Sequence, residues 1–476
     1  MTIREIQTGL REKTFSAKEI TESFLHNIRE KEPQVHAFLT VTSDLALQQA
    51  QEIDSNILKG KEIPELAGVP YSLKDAILAK GVPCTAGSRM LEHYTATYDA
   101  KVVENLRNAG AVLLGKTNMD EFGMGASTEY SAFGPTHNPR NLSMVPGGSS
   151  GGSAASVAAQ ECLVSLGEDT GGSVRLPASF CGVVGMKPTY GTVSRSGVIA
   201  LASSLDQVGP FAETVQDCEN VFRVISGKDE QDATSVLYEY GDAVDPMQIE
   251  GLTIGVPKEY FAKGLDPDIE KRVREMLGKL ANAGANVQEV SLPRTSEALA
   301  AYYVINTSEA SSNLARYDGI RYGHASGMHL SLQEAFVANR EAFGEEVKRR
   351  IMLGTFALSA GYYEAYYKAA QRVRDLLRKD FSEAFSKADV LMGPVSPFLP
   401  FPLGERVEDP LAMYLVDMYT VAANLSGIPG ISVPIGSARD LPVGLQILAP
   451  HFKERLLFSV AKTVEQIADT SYHSGV

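Results

Sequence analysis

The stretch AKVVENLRNAGAVLLGK, residues 100–116, holds the pattern that decides the fold class. Its first part has the residue pattern of a helix that ends on Gly110, since glycine commonly follows the last turn of a helix. AVLLGK, residues 111–116, follows directly as a short apolar run typical of a buried strand. A helix followed at once by a buried strand is the repeating unit of layered α/β proteins.

The same alternation continues through the chain. A capping box at 16–19 starts an N-terminal helix, and Ile20, Phe24 and Ile28 follow it at helical spacing. Further predicted elements are strands at 252–257, 285–292, 388–394, 430–435 and 442–448, and helices at 266–284 and 454–468. We therefore predict a layered α/β fold around a mostly parallel or mixed sheet.

Size, composition and charge exclude several classes of protein. The 476 residues, 44% of them hydrophobic and 21% charged, are typical of a soluble globular protein with one large domain or several ordinary ones. No window approaches the ~18 apolar residues of a membrane span, and the N-terminus is unlike a signal or transit peptide, so we expect a cytoplasmic protein. The net charge of −14, without basic runs, predicts that a partner holds most of any bound RNA.

The cysteines and histidines show no metal-binding pattern. Cys84, Cys162, Cys181 and Cys218 are widely spaced and include no C-x-x-C, so we expect buried reduced thiols. The 8 histidines include no H-x-x-x-H pair, and we expect no metal site in this chain.

The run PGGSSGGSAASVAAQ, residues 146–160, matches two motifs only by its letters. Residues 147–151 fit G-x-S-x-G, but a nucleophile elbow needs a strand before it and a histidine partner, and a proline-containing loop precedes this run. A phosphate loop needs the lysine of G-K-[ST], which is missing. The run continues into SAASVAAQ, residues 153–160, which are strong helix formers, so the run is not a flexible linker.

Two other stretches carry residues that could act together. In LVSLGEDTGGSVRLPASFCG, residues 163–182, a strand turns through two glycines to Ser173, and N–H groups of such a turn can bind an oxyanion. An ordinary tight turn has the same letters. AGVPYSLKDAI, residues 67–77, places Lys74 in an apolar run, where burial would make it a base at working pH. An ion pair with Asp75 or a distant carboxylate explains the same lysine.

Together these stretches resemble the amidase signature family, including the 24 residues between Ser149 and Ser173 (173 − 149 = 24). The resemblance implies a layered α/β/α amidase signature fold with a large central mixed β-sheet. It makes Ser173 the nucleophile, Ser149 a bridging serine that follows a cis peptide bond, and Lys74 the base. The N–H groups expected to hold the oxyanion are those of Thr170, Gly171, Gly172 and Ser173.

The chain departs from that family at Glu168. We expect GSDTGG in most relatives, whereas this chain has GEDTGG, which puts an acid close to the oxyanion turn. A buried Glu168 would pair with a cation or perturb Lys74. If its side chain points away, the substitution changes nothing.

Longer stretches resemble the family of glutamyl-tRNA(Gln) amidotransferase A subunits over nearly the whole chain: 302–323, 344–367, 409–420 and 424–436. This resemblance implies a single domain over 1–476, with the signature core at about 65–200. It makes the polar stretch 226–251 a surface excursion, although the pattern alone leaves a domain boundary open there.

The same resemblance implies a glutamine pocket made by Tyr302, Arg350 and Asp417. A guanidinium forks onto the α-carboxylate of glutamine and a carboxylate accepts its α-ammonium. Arg349 lies beside Arg350 in the sequence and competes for the same role.

The implied function is that of a glutaminase subunit of a ligase complex. It hydrolyses glutamine to glutamate and ammonia through an acyl-enzyme, and a partner uses the ammonia with ATP and Mg²⁺ on Glu-tRNA(Gln), Asp-tRNA(Asn) or both. Subunits B and C are the expected partners, and this chain itself is expected to need no cofactor. The alternatives are a free-standing amidase for another amide, a nucleotide-binding module built on 146–160, and an inactive scaffold.

Overall fold

The structure is a computed structural model that describes residues 1–326 and 329–468. Its strands belong to one sheet and are β1 Phe38–Val41, β2 Pro70–Lys74, β3 Val112–Thr117, β4 Val164–Glu168, β5 Val184–Lys187, β6 Val208–Ala212, β7 Thr253–Pro257, β8 Asn286–Val290, β9 Val390–Pro394, β10 Gly430–Ala438 and β11 Leu441–Leu448. Its helices are α1 Ile3–Glu12, α2 Ala17–Val35, α3 Ser43–Leu58, α4 Lys101–Asn108, α5 Gly151–Ala158, α6 Arg175–Cys181, α7 Val215–Ile225, α8 Pro267–Asn282, α9 Thr295–Leu314, α10 Leu332–Arg340, α11 Glu345–Leu358, α12 Tyr367–Phe385, α13 Pro410–Tyr414, α14 Val421–Ser426 and α15 Glu454–Ile467.

The sheet is mixed, which confirms the predicted class. Its 11 strands follow the order β1-β3-β2-β4-β6-β5-β10-β11-β9-β7-β8. Strand β2 runs parallel to β3 and β4, whereas the pairs from β4 through β6, β5, β10 and β11 to β9 are antiparallel. Because β2 and β4 are parallel neighbours, Lys74 and Glu168 end their strands side by side.

Helices cover the sheet on two faces. Gly444 of β11 donates its N–H to the Ser179 hydroxyl of α6 at 3.0 Å, and Ser432 of β10 lies beside the same contact. Successive strand residues point to opposite faces, so Ile431 and Val433 point away from α6. They belong to the core that also contains residues of α8 and α15. The sheet is therefore the middle layer of an α/β/α arrangement.

The predicted elements are present with small changes at their ends. The capping box forms at α2, where Ser16 and Glu19 exchange hydrogen bonds. The helix predicted at 266–284 ends at Asn282, because Gly284 has a φ of +103° and turns the chain. The strand predicted at 285–292 ends at Val290. The segment 226–251 contains neither helix nor strand, and strands before and after it belong to the same sheet.

Two further predictions concern thiols and membranes. All four cysteines are buried and free, as expected for reduced core thiols. Among the helices in the described ranges, none has the length and apolar character needed to cross a bilayer.

Candidate active site

Lys74, the last residue of β2, points its fully buried side chain at Ser149. Its Nζ donates to Ser149 Oγ at 2.8 Å and to the carbonyl oxygen of Glu168 at 3.3 Å. Burial lowers the pKa of Lys74, although nearby carboxylates oppose this shift. Asp75, the alternative partner, instead accepts from Lys116 Nζ at 2.9 Å. This geometry favours a base over an ion pair with Asp75.

Three carboxylates near Lys74 are held by hydrogen bonds from the protein. They are Asp120, which accepts from the N–H groups of Thr128 and Tyr130, Asp169, which pairs with the Arg175 guanidinium, and Asp206, which accepts from the N–H groups of Leu201 and Ala202. Each of these carboxylates has donors of its own, and all three raise the pKa of Lys74 against the effect of burial.

The fourth carboxylate, Glu168, lacks such donors. Its side chain is 2% exposed, and Oε2 lies 3.9 Å from Lys74 Nζ. Its Oε1 has no hydrogen-bond partner within residues 1–326 and 329–468. Burial raises the pKa of Glu168 to about 8, with repulsion from Asp206 adding to the effect and Lys74 opposing it. Glu168, at the position where the family resemblance predicts serine, is thus buried and faces the candidate base.

Ser149 follows a cis peptide bond from Gly148, as the family resemblance predicts. The close approach of Asp120 requires glycine at 148, because a Cβ there would lie 2.2 Å from Asp120 Oδ2. Helix α5 begins at Gly151, directly after the serine pair, so the run is an ordered approach to a helix. This approach holds Ser149 Oγ against Lys74.

Asp169 organises the turn that leads to Ser173. Its carboxylate accepts the N–H of Gly172 at 2.8 Å, the N–H of Val174 at 3.1 Å and Nε of Arg175 at 3.1 Å. Burial alone would raise the pKa of Asp169, but the Arg175 guanidinium outweighs it and lowers the value to about 2. The turn also needs glycine at 172, where φ is +140°.

The N–H groups predicted to bind an oxyanion differ in what they already contact. That of Gly172 donates to Asp169 within the turn. The N–H groups of Thr170, Gly171 and Ser173 have no protein acceptor among the described hydrogen bonds. These three donors remain free to hold a negatively charged oxygen.

Ser173 lies between this turn and the first residues of α6. It is 8% exposed, whereas Ser149 is 1% exposed. A nucleophile has to meet substrate and a relay serine does not, so the exposures agree with the predicted roles.

Tyr302 lies directly against the turn. A Cβ atom on Gly171 would fall 2.4 Å from the Tyr302 hydroxyl oxygen, so the ring of Tyr302 occupies the space beside this glycine. Asn306, one helical turn further along α9, donates to the Tyr302 hydroxyl at 3.3 Å and accepts from Arg350 Nη1 at 3.3 Å. Asn306 therefore links two of the predicted substrate-binding residues.

Arg350 is the buried member of its arginine pair. Its side chain is 4% exposed, against 40% for Arg349. Arg350 Nε donates to Glu346 Oε1 at 2.8 Å, and its guanidinium lies over the rings of Tyr303 and Tyr414. Burial opposes its charge, but the Glu346 carboxylate holds the pKa of Arg350 above its ordinary value. Arg350 is therefore a permanent cation.

Asp417 lies in a short helical turn, Leu415–Asp417. The Thr420 hydroxyl donates to the carbonyl oxygen of Gly171 at 2.6 Å and lies 3.0 Å from that of Asp417, which ties the two turns together. Burial raises the pKa of Asp417 to about 8, while Arg350 opposes the shift. The structure thus brings Tyr302, Arg350 and Asp417 around one turn.

Sequence reasoning missed the residues that hold these groups in place. Asp169 and Arg175 flank the glycine pair in a stretch already singled out, but nothing in the letters shows that they pair. Glu346 precedes Arg350 by four residues, a spacing that predicts contact on a helix. Asn306 and Thr420 act through tertiary contacts that leave no local pattern.

Known proteins with similar sequences and folds cover nearly the whole of this chain. The family model described as Amidase matches residues 19–458. The chain is 54% identical over 470 residues to the A subunit of a glutamyl-tRNA(Gln) amidotransferase from Koribacter versatilis, covering 98% of both chains. It is 52% identical to the protein of the same name from Thermoanaerobacter pseudethanolicus, covering 98% of this chain and 96% of that one. The crystal structure of the glutamyl-tRNA(Gln) amidotransferase A subunit from Thermotoga maritima matches with a TM-score of 0.81 and 40% identity, over 98% of this chain and 94% of that one.

Proposed function

The chain belongs to the amidase family, and we propose that it is the glutamine-hydrolysing subunit of a tRNA-dependent amidotransferase. The observation that carries this proposal is the placement of a permanent cation, Arg350, and an ionisable carboxyl group, Asp417, beside the turn that presents Ser173. A free α-amino acid carries a carboxylate, which the Arg350 guanidinium can bind, and an ammonium group, which the ionised Asp417 carboxylate can bind. An amide substrate without charged groups would need neither Arg350 nor Asp417.

The reaction begins at the contact between Lys74 and Ser149. Neutral Lys74 takes the proton of Ser149, which takes the proton of Ser173. Ser173 Oγ then forms a bond to the side-chain amide carbon of glutamine, and free N–H groups of the turn hold the resulting oxyanion. The relay returns its proton to the leaving nitrogen as the C–N bond breaks, and ammonia departs. Water cleaves the glutamyl-Ser173 ester by the same relay and releases glutamate.

The ammonia is then used by partner subunits, since the relatives are named as one subunit of a larger enzyme. A partner binds ATP and Mg²⁺, activates the aminoacyl group on Glu-tRNA(Gln) or Asp-tRNA(Asn), and carries most of the tRNA contact. A third subunit completes the complex. The acidic net charge of −14 supports this division, and a role in translation supports a cytoplasmic location.

Ammonia release from glutamine tests the proposal directly. The purified chain is assayed with and without its partner subunits, with asparagine and a simple aliphatic amide as competing substrates. Glutamine-selective release that falls by about 10³-fold or more in Ser173→Ala supports the proposal. Ser143→Ala, an exposed serine outside the site, is the matched control and should be unchanged.

The other outcomes contradict parts of the proposal. Preference for the aliphatic amide would make the protein a free-standing amidase and remove Arg350 and Asp417 from substrate binding. No release under any condition, with partners bound, would contradict an enzymatic role.

A further inference from the structure

Glu168 and Lys74 form a buried pair of opposite charge at the carboxyl ends of neighbouring parallel strands. The side chains are 2% and 0% exposed, respectively, and Oε2 lies 3.9 Å from Nζ. The backbone of Glu168 is fixed in place, because Ser150 Oγ accepts its N–H at 3.2 Å and its carbonyl oxygen accepts from Lys74 Nζ at 3.3 Å. The end of β4 therefore keeps the carboxyl group beside the base.

Glu168 differs from the other acids of the site in its hydrogen bonds. Asp120, Asp169 and Asp206 each accept hydrogen bonds from the protein, whereas Glu168 Oε1 accepts none in the described part of the chain. A buried carboxylate without donors is costly unless it is neutralised by a proton or by a nearby cation. For Glu168, Lys74 is such a cation, with its Nζ 3.9 Å from Oε2.

The charged groups that face this pair come from several elements. Three are acids: Asp169 follows β4 and is paired with Arg175, Asp120 follows β3, and Asp206 precedes β6. The fourth is Arg195, which lies in the loop after β5 at 3.7 Å from Asp232. Asp169 and Asp206 raise the pKa of both members of the pair, Asp120 raises that of Lys74, and Arg195 lowers that of Glu168. Burial lowers the pKa of Lys74 and raises that of Glu168, so the two groups compete for protons over one range.

We propose that Glu168 is a positioning residue that shares one proton with Lys74 and thereby sets the pH range in which Lys74 is the neutral base. This inference rests on the proposed role of Lys74 in amide hydrolysis. With two protons the pair is an ammonium and a carboxylic acid, and the base is blocked. With one proton, the neutral tautomer supplies the base. With none, Lys74 is an amine beside a carboxylate, which stabilises the ammonium formed during the reaction.

The test compares pH profiles of the full-length chain, bound to its partners where activity requires them, with those of Glu168→Gln and Glu168→Asp. Two rates are measured: kcat/KM for ammonia release, and sulfonylation of Ser173 by phenylmethanesulfonyl fluoride. In the second reaction Ser173 Oγ bonds to sulfur, fluoride leaves, and the serine proton passes to the relay. It needs no glutamine, so it tests the inference even if the proposed substrate is wrong.

Glu168→Gln should move the midpoint of the acidic limb to lower pH by at least about one unit, since a charge at this distance typically shifts a pKa by that amount. The rate should also rise over a narrower pH range, because one titrating group replaces two coupled ones. Glu168→Asp withdraws the carboxyl by one methylene and should lie between. Thermal unfolding identifies any variant that has lost its fold, and Glu168→Asp then decides the question.

The matched control is Glu161→Gln, which lies just before the same strand, at its opposite end, and is equally buried but far from the base. It should leave both pH profiles in place. An unchanged midpoint of the sulfonylation profile in folded Glu168→Gln or Glu168→Asp overturns the inference, whatever happens to the maximum rate. This profile decides because Asp417 also titrates in kcat/KM for glutamine.

Discussion

Lys74 and Arg350 are both buried basic side chains of one site, yet their pKa values shift in opposite directions. Burial lowers the pKa of Lys74, whereas Arg350 is held above its ordinary value. The difference lies in the closest carboxylate. Arg350 Nε donates directly to Glu346 at 2.8 Å, but Lys74 Nζ donates to a serine hydroxyl and stands 3.9 Å from Glu168.

The contrast teaches that burial alone does not decide the charge of a group in this site. A cation with a hydrogen-bonded carboxylate keeps its proton and can bind an anion. A cation that faces a neutral hydroxyl gives its proton up more easily and can act as a base. The chain thus assigns binding to Arg350 and proton transfer to Lys74 by geometry, with side chains of the same formal charge.

Lys74→Arg is the largest test of this comparison. A guanidinium keeps the charge and the donors but cannot become a neutral base, so ammonia release should fall by at least about 10³-fold at every pH. Steady-state kinetics across pH measures this. Lys116→Arg on β3 is the matched control, since it is equally buried but paired with Asp75, and it should keep its activity. A folded Lys74→Arg with near-normal activity would contradict the role of Lys74 as base.

Arg350→Lys tests the other cation and should have a smaller effect. Lysine keeps the charge but loses the planar fork, so kcat/KM should fall by about 10²-fold, mainly through a higher KM for glutamine. Arg349→Lys, one residue away and 40% exposed, is the control and should change little. Equal losses in the two variants, or a loss confined to kcat, would remove Arg350 from the glutamine pocket.

The pair Arg349 and Arg350 also shows where sequence reasoning stops. The sequence places two arginines on one helix, and family resemblance prefers Arg350, but only the packing of α11 against Tyr303 and Tyr414 shows which one is buried. The orientation of Glu168 was equally open, because an acid at a strand end can face solvent or a neighbouring strand. Tertiary contact decides both cases, and no local periodicity encodes it.

The fold was more predictable than the site for a physical reason. Buried strands such as β3 and β9, and helices such as α8, bury enough apolar surface to leave a pattern in their own residues. Strand order leaves no such pattern, since β2 and β4 are separated by β3 in the chain and adjacent in the sheet. That adjacency is what joins Lys74 to Glu168.

Asp417 allows the same comparison for an acidic group of the site, since burial shifts its pKa as well. Burial raises its pKa to about 8, so the carboxyl is mostly protonated at neutral pH and ionises as pH rises. An ammonium group binds the ionised form, so glutamine affinity should rise roughly tenfold from one unit below this pKa to one unit above it. Calorimetry on Ser173→Ala measures binding without turnover. In the double variant Ser173→Ala with Asp417→Asn, only the ammonium group of glutamine titrates, so glutamine should bind weakly and without this rise. Identical pH profiles of glutamine affinity in the two variants would contradict the role of Asp417 in binding the ammonium group.

Glu161 gives the smallest test, because it shows what burial does without a hydrogen-bonded partner. Burial, with repulsion from Glu32 adding to it and Lys31 opposing it, raises its pKa to about 9 from an ordinary value of 4.5, and neither carboxylate oxygen has a hydrogen-bond donor among the described residues. Glu161 of the unfolded chain ionises first as pH rises, so the folded state binds more protons and the free energy of unfolding falls from about pH 5 to about pH 9.

Glu161→Gln should flatten this dependence and raise the free energy of unfolding at pH 8 by at least about 1 kcal/mol. Denaturant unfolding across pH measures it, with Glu52→Gln on the exposed face of α3 as control. If the free energy of unfolding of Glu161→Gln fell with pH as steeply as that of the unchanged protein, other acids would govern the pH dependence. Burial of a carboxyl group without a hydrogen-bond donor would then cost less free energy than the comparison of Lys74 with Arg350 implies.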